Sequence, residues 1–217
     1  MRKKVAIFLF GAGVFDGSEI VESVSCQIAA ERAGASVEFF SPDVFQRDVV
    51  DHASGKASNE RRNVKSESAR IARGKIFDAK DFNAEDFDAL IFPGGFGAAK
   101  NASDFALKGK NAKVLPEIER AVLDFFALKK PMGFACISPA SIAAPVLGKF
   151  GVSLTIGSDA QTAQSLESFG AKHVGCAAKS FVKDEARPVF STPAYMLAAN
   201  AAEVFEGISK MVSAMLK

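Results

Sequence analysis

The sequence contains few of the residues that build metal centres or disulfide frameworks. There are only three cysteines, Cys26, Cys136 and Cys176, and no C-x-x-C pair, which argues against disulfides or a zinc site. The two histidines, His52 and His173, also lack metal-ligand spacing, and we interpret both as surface residues or as histidines with satisfied structural contacts. We therefore expect no metal site.

Other absences limit the partners and the location of the protein. The net charge of +2 comes without a lysine or arginine block, so we expect no nucleic-acid partner. No apolar run approaches the roughly 18 residues of a transmembrane helix, so we expect no membrane partner. Unpaired cysteines fit a reducing compartment, and we predict a cytoplasmic protein. The apolar run at residues 5–10 is better explained as a buried strand than as a secretory signal, because glycines follow it directly.

Short apolar runs alternate with amphipathic stretches, which predicts an α/β fold with a mostly parallel sheet covered by helices on both faces. Strands are expected at residues 5–10, 37–40, 89–92, 132–135, 152–156, 181–182 and 189–191, and helices at residues 19–32, 63–73, 115–128, 138–147, 160–169 and 197–215. Tryptophan is absent and tyrosine occurs once, so we interpret the 20 phenylalanines as core filling. No linker or repeat divides the chain, and we expect one domain over residues 1–217.

The pattern weakens between residues 43 and 77. Residues 52–55 are typical of a turn between two short extended pieces. A connection of this length inside a compact domain is often functional. We expect this segment to border the active site or an oligomer interface.

Three turns follow predicted strands at the edge of the sheet where ligands bind, beyond the carboxyl ends of the strands. They lie at residues 11–13, 94–95 and 136–137, and we expect them to converge. The first turn, together with Gly17, approximates a dinucleotide-binding fingerprint, but one residue too many separates Gly13 from Gly17. Nucleotide binding is therefore disfavoured.

Cys136 stands between an apolar strand and the start of a helix. Free helix N–H groups and the helix dipole favour a thiolate at such a position and would lower the pKa of the thiol. A sharp elbow there would also project the side chain from the sheet edge. Position alone leaves a buried, inert structural cysteine equally open.

Glu22 is the second candidate, because on the first helix it shares a face of small residues with Cys26. A carboxyl on such a semi-buried face would have a raised pKa and could act as acid and base. The third candidate is the glycine pair Gly94 and Gly95, which allows the backbone close to a ligand. An N–H of this pair, with that of Ile137, could form an oxyanion hole, although a plain tight turn explains the pair as well.

Several motifs then resemble one family. They are the segments 16–20, 62–64, 69–71, 93–101, 133–137, 154–157 and 192–197. Through them the chain resembles the ElbB-type glyoxalase or isoprenoid biosynthesis family, within the PfpI-like class I glutamine-amidotransferase-like superfamily. The resemblance runs nearly end to end and implies a flavodoxin-like, doubly wound fold and a homodimer. It also implies a nucleophile at Cys136, a partner acid at Glu22, and oxyanion donors at Gly95 and Ile137.

The sequence departs from the superfamily pattern in its histidines. Many members carry a histidine where Ile137 stands, and others carry one near Thr192 or Gly157. Without such a base, peptide or amide cleavage is disfavoured. The resemblance instead implies a glutathione-independent glyoxalase that converts a small 2-oxoaldehyde to a 2-hydroxy acid without a cofactor. The alternative is a cysteine-based redox sensor or regulatory protein linked to isoprenoid biosynthesis.

Overall fold

A seven-stranded sheet organises the computed structural model, which describes residues 2–217. Strands and helices are numbered here in chain order. They are β1 (Lys4–Phe8), α1 (Ile20–Arg32), β2 (Ser36–Ser41), β3 (Val49–Asp51), β4 (Lys56–Ser58), α2 (Val64–Ile71), β5 (Phe77–Asp78), β6 (Ala89–Phe92), α3 (Phe96–Lys100), α4 (Phe105–Lys108), α5 (Pro116–Ala127), β7 (Met132–Ala135), α6 (Ala144–Leu147), β8 (Ser153–Leu154), α7 (Ala160–Glu167), β9 (Lys172–His173), β10 (Val182–Lys183), β11 (Val189–Thr192) and α8 (Ala201–Met215).

The order of the strands in the main sheet is β10-β11-β7-β6-β1-β2-β5. Only β10 pairs antiparallel, with β11, while the other neighbours pair parallel. The central strands β6, β7 and β11 are buried at every residue, as expected when helices cover both faces of a parallel sheet. The predicted doubly wound, flavodoxin-like α/β architecture is therefore confirmed.

Phenylalanine rings fill one face of the sheet, as the composition predicted. The rings of Phe8 and Phe134 lie 5.3 Å and 5.1 Å from the ring of Phe92, and all three side chains are fully buried. On the other face, α1 and α8 pack together over a cluster that includes Ile7 and Met211. Each ring removes a large apolar area from water, so the strands that carry them are strongly fixed.

The segment at residues 43–77 contains the predicted turn between two short extended pieces, and one strand that the sequence did not predict. Strands β3 and β4 form an antiparallel hairpin, closed by a hydrogen bond from the Gly55 N–H to the Asp51 carbonyl. Strand β5 adds an edge to the main sheet. The segment borders the turn after β1, because the Gly11 N–H donates to Ser68 Oγ at 2.8 Å. The segment therefore lies against one of the three turns at this edge of the sheet.

The last helix begins later than predicted, at Ala201 instead of residue 197. Asn200 is extended and its side chain accepts a hydrogen bond from the Glu203 N–H at 3.0 Å, which caps the helix. A short 3-10 turn at Ala194–Met196 precedes it. Within residues 2–217, no helix has the combined length and apolar character needed to cross a membrane.

Candidate active site

Cys136 lies directly after β7 in a left-handed backbone conformation, with φ of 59°. Its N–H donates to the Thr192 carbonyl at 3.0 Å, and the Ser138 hydroxyl donates to the Ala135 and Phe92 carbonyls, which holds the elbow. A residue with a side chain rarely adopts positive φ, and such backbone strain concentrates at functional sites. The following segment, Pro139–Ala143, is π-helical, which is also frequent at such sites.

Glu22 projects from the first turn of α1 and is fully buried. Both of its carboxyl oxygens accept backbone hydrogen bonds. The Gly94 N–H donates to Oε2 at 2.9 Å, and the Tyr195 N–H donates to Oε1 at 3.2 Å. The carboxyl therefore joins α1 to the turns that follow β6 and β11.

Gly94 brings the thiol and the carboxyl together. A Cβ atom on Gly94 would lie 2.5 Å from the Cβ of Cys136 and 2.8 Å from Oε2 of Glu22. These distances are shorter than van der Waals contact, so only glycine fits between the two side chains. The thiol and the carboxyl are close enough here that each shifts the pKa of the other.

Burial raises the pKa of Glu22 to about 7, and the nearby charge of Glu19 acts in the same direction. The hydrogen bonds from Tyr195, Cys136 and Gly94 counteract part of this rise in the pKa, because they stabilise the ionised carboxylate. A carboxyl that titrates near neutral pH is suited to act as both acid and base.

The prediction of a lowered pKa for Cys136 is wrong. Burial raises the pKa of this thiol well above its usual value, and the charge of Glu22 raises it further. The N–H groups of Gly95 and Ile137 hydrogen-bond the sulfur and act in the opposite direction, but they do not prevail. The cause is burial: Cys136 is only 9% accessible to solvent, and a site without water favours the neutral thiol over the thiolate.

Gly95 and Ile137 thus flank the sulfur, and Gly95 must be glycine. Its φ is 90°, and a Cβ atom there would lie 2.5 Å from the Gly17 carbonyl oxygen. The turns after β1, β6 and β7 therefore converge as predicted. The N–H groups of Gly95 and Ile137 are directed toward the place where a negative charge would develop beside the sulfur.

The turn after β1 is built for packing. The Glu19 carboxylate accepts the Glu22 N–H at 2.6 Å and closes the start of α1, where the phosphates of a dinucleotide would bind. Asn101 ends one of the motifs that carry the resemblance, although no role was predicted for it. Its side chain donates hydrogen bonds to the carbonyls of Phe10 and Asp16. It holds this turn against α3.

Neither histidine is among the groups that shift the pKa of Cys136 or Glu22. His52 is on the β3–β4 turn, where its Nε2 accepts the Phe15 N–H at 3.2 Å, and His173 is in β9, outside the main sheet. Among residues 2–217, no group of three or more His, Cys, Asp or Glu side chains could hold a metal ion.

The fold, with this thiol–carboxyl pair at the sheet edge, is that of a class I glutamine amidotransferase-like protein. A crystal structure of an isoprenoid biosynthesis protein with an amidotransferase-like domain from Ehrlichia chaffeensis superposes with a TM-score of 0.90 at 38% identity, over 98% of each chain. Drosophila melanogaster DJ-1beta superposes with a TM-score of 0.54 at 18% identity, over 96% of this chain and 87% of that one, which supports the fold alone. No protein-family model matches the sequence.

Two curated relatives are more similar in sequence than this crystal structure is. The chain is 43% identical to the rat (Rattus norvegicus) mitochondrial ES1 protein homolog, over 100% of this chain and 84% of that protein. It is also 43% identical to the human (Homo sapiens) mitochondrial glutamine amidotransferase-like class 1 domain-containing protein 3, over 99% of this chain and 82% of that protein. The chain belongs to the family of these ES1 and class I glutamine amidotransferase-like proteins.

The names of these relatives contradict the predicted cytoplasmic location, because all of them are called mitochondrial. The physical reason for the error is plain. Unpaired cysteines indicate a reducing compartment, and a cell has more than one such compartment.

Proposed function

We propose that the protein is a glutathione-independent glyoxalase of the ElbB type, which converts a small 2-oxoaldehyde such as methylglyoxal or glyoxal to a 2-hydroxy acid. The observation that carries this proposal is the contact of Cys136 with Glu22 across Gly94. A nucleophile beside an acid/base group that titrates near pH 7 is what this isomerisation requires. No cofactor takes part.

In the first step, ionised Glu22 accepts the thiol proton of Cys136 while the sulfur attacks the aldehyde carbon. A carbon–sulfur bond forms, and the aldehyde oxygen becomes an alkoxide within reach of the Gly95 and Ile137 N–H groups. Glu22 then returns the proton to this oxygen. The product is a hemithioacetal. Because the free thiol has a raised pKa, activation by Glu22 replaces a preformed thiolate in this mechanism.

In the second step, ionised Glu22 removes the hydrogen from the carbon bonded to sulfur, which gives an enediol, and returns a proton to the neighbouring carbon. The hydroxyl proton of the first carbon passes to the oxygen of the second. The result is a thioester of the 2-hydroxy acid on Cys136. Water hydrolyses this thioester and restores the thiol, so the net reaction is 2-oxoaldehyde plus water to 2-hydroxy acid, without a net oxidant or reductant.

The contacts favour this proposal over the redox-sensing alternative. A cysteine that senses oxidants is accessible and has a lowered pKa. Cys136 is 9% accessible, and burial raises its pKa. Amide cleavage is disfavoured because neither histidine is among the groups that act on Cys136: His52 accepts the Phe15 N–H, and His173 lies in β9.

The test is lactate formation from methylglyoxal by the purified protein without glutathione. We expect Cys136→Ser and Glu22→Gln each to lower kcat by about 100-fold or more, the usual contribution of a positioned acid/base or nucleophile. Cys176→Ser removes a half-buried thiol outside the site and serves as the control. Full activity in Cys136→Ser would disprove the mechanism.

We also propose that the protein forms a homodimer through α1. The side chains of Ile20, Val24 and Ile28 recur every four residues on one face of this helix and are 48%, 37% and 38% exposed. An apolar face of this kind on the surface is typical of a contact between protein chains. A second copy of the chain is the expected occupant.

A further inference from the structure

The turn after β11 contains a strained residue that the proposed chemistry does not yet explain. Among residues 2–217, four residues with side chains have positive φ: Arg73, Lys129, Cys136 and Ala194. Arg73 and Lys129 come just after helices α2 and α5, where a left-handed residue commonly ends a helix. Cys136 and Ala194 instead follow the neighbouring parallel strands β7 and β11. No helix end accounts for Ala194, with its φ of 44°.

This turn directs one backbone amide, that of Tyr195, out of the turn and toward Glu22. The neighbouring backbone groups are satisfied inside the turn, since the N–H groups of Met196 and Leu197 donate to the carbonyls of Pro193 and Ala194. The Tyr195 N–H instead donates to Oε1 of Glu22, at 3.2 Å. Ala194 itself is fully buried in the apolar cluster that contains Cys136.

We propose that Tyr195 is a positioning residue of the site, whose amide, aimed by the strained Ala194, orients the Glu22 carboxyl and sets the pH at which it ionises. This proposal rests on the acid/base role proposed for Glu22. It concerns the backbone of Tyr195, because the side chain is 37% exposed and the contact to Glu22 is made by the main chain.

The Tyr195 amide matters because the surroundings of Glu22 oppose ionisation of its carboxyl. The titratable groups that face Glu22 are Glu19 and Cys26 on α1, Cys136 after β7 and the Tyr195 phenol after β11. Glu19 and burial raise the pKa of Glu22, whereas the two backbone N–H groups lower it. A hydrogen bond to a charged group is strong enough to move a pKa by about one unit. Loss of the Tyr195 amide would therefore leave little ionised Glu22 at neutral pH.

The test compares two variants that differ in the amide and share the loss of the phenol. Tyr195→Pro removes the N–H, whereas Tyr195→Ala keeps it. The titration of the Glu22 carboxyl carbon is followed by 13C NMR, with its signal assigned by its absence in Glu22→Gln. We expect a midpoint about one pH unit higher in Tyr195→Pro than in the wild type. Tyr195→Ala should stay within about 0.3 unit, since its hydrogen bond remains.

A second pair of variants protects the test against misfolding of the proline variant. Ala194→Val places a branched side chain where φ is positive, so the turn must change and withdraw the amide. Ala194→Gly tolerates the same φ without strain. We expect the upward shift in Ala194→Val alone. Equal midpoints within both pairs would overturn the proposal. The titration does not depend on turnover, so a shift without lactate formation would refute the glyoxalase function and leave the positioning role intact.

Discussion

Glu22 and Cys136 contact each other across the Cα atom of Gly94, at a place where no side chain fits. They come from α1 and from the turn after β7, so the pair exists only in the folded sheet. Burial at this place raises the pKa of Glu22 to about 7, and the interaction with Cys136 counteracts part of that rise. The contact makes the site sensitive to small changes in packing.

The buried carboxyl should make the stability of the protein depend on pH. The folded-state pKa of Glu22 is raised to about 7 from 4.5, so the folded state holds its proton more tightly than the unfolded state. The contribution of Glu22 to the free energy of unfolding is full below pH 4.5 and is lost as the pH rises through about 7. This loss lowers the free energy of unfolding by about 3 kcal/mol.

Glu22→Gln removes this titration. The free energy of unfolding is measured with urea at pH 4 and at pH 8, for the variant and for the wild type. Between pH 4 and pH 8, we expect the difference (variant minus wild type) to change by about 3 kcal/mol in favour of the variant. The same stability difference at both pH values would contradict the raised pKa.

Substitution of Gly94 should separate the thiol from the carboxyl. In Gly94→Ala, the new methyl group overlaps the Cβ of Cys136 and Oε2 of Glu22. We expect a loss of stability of about 1–3 kcal/mol, as for other overpacked sites, and a loss of most of the lactate formation. Gly175→Ala is the matched control, because a Cβ atom at Gly175 meets no atom within 4 Å. Wild-type activity in Gly94→Ala would exclude the contact as the catalytic unit.

The apolar face of α1 should control the oligomeric state. Val24→Lys places a charge in the middle of this face, and desolvation of that charge would oppose a contact with a second copy. We expect a dimer for the wild type and a monomer for the variant in sedimentation velocity. Val174→Lys changes a valine that is 40% exposed in another part of the fold and should leave the dimer unchanged. A wild-type monomer, or a dimeric Val24→Lys variant, would refute this interface.

The sequence predicted the elements with strong local patterns. The strands at residues 89–92 and 132–135 were predicted with their observed bounds, because four consecutive apolar or small residues end at a sharp turn. The short edge strand β5 was missed, since a two-residue strand has no periodicity and depends on its neighbour β2 for hydrogen bonds.

The residues that the structure brings together at the candidate site were predictable, and so was the raised pKa of Glu22, but the raised pKa of Cys136 was not. Glycine turns at strand ends, the acid on α1 and the resemblance brought Glu22, Gly94, Gly95, Cys136 and Ile137 into consideration. The direction of the pKa shift of Cys136 depends on burial and on a carboxyl far away in the chain, which local sequence does not report. The backbone amide of Tyr195 carries no sequence signal either, because every residue except proline has one.

A pKa of about 7 for Glu22 means that two chemical species coexist in any neutral preparation of this protein. One carries a carboxylate with equal carbon–oxygen bonds, and the other carries an acid with one long and one short bond. Crystals grown at pH 5 and at pH 9 would therefore hold nearly pure samples of each. At atomic resolution, the difference between the two bond lengths of one side chain would report which species is present.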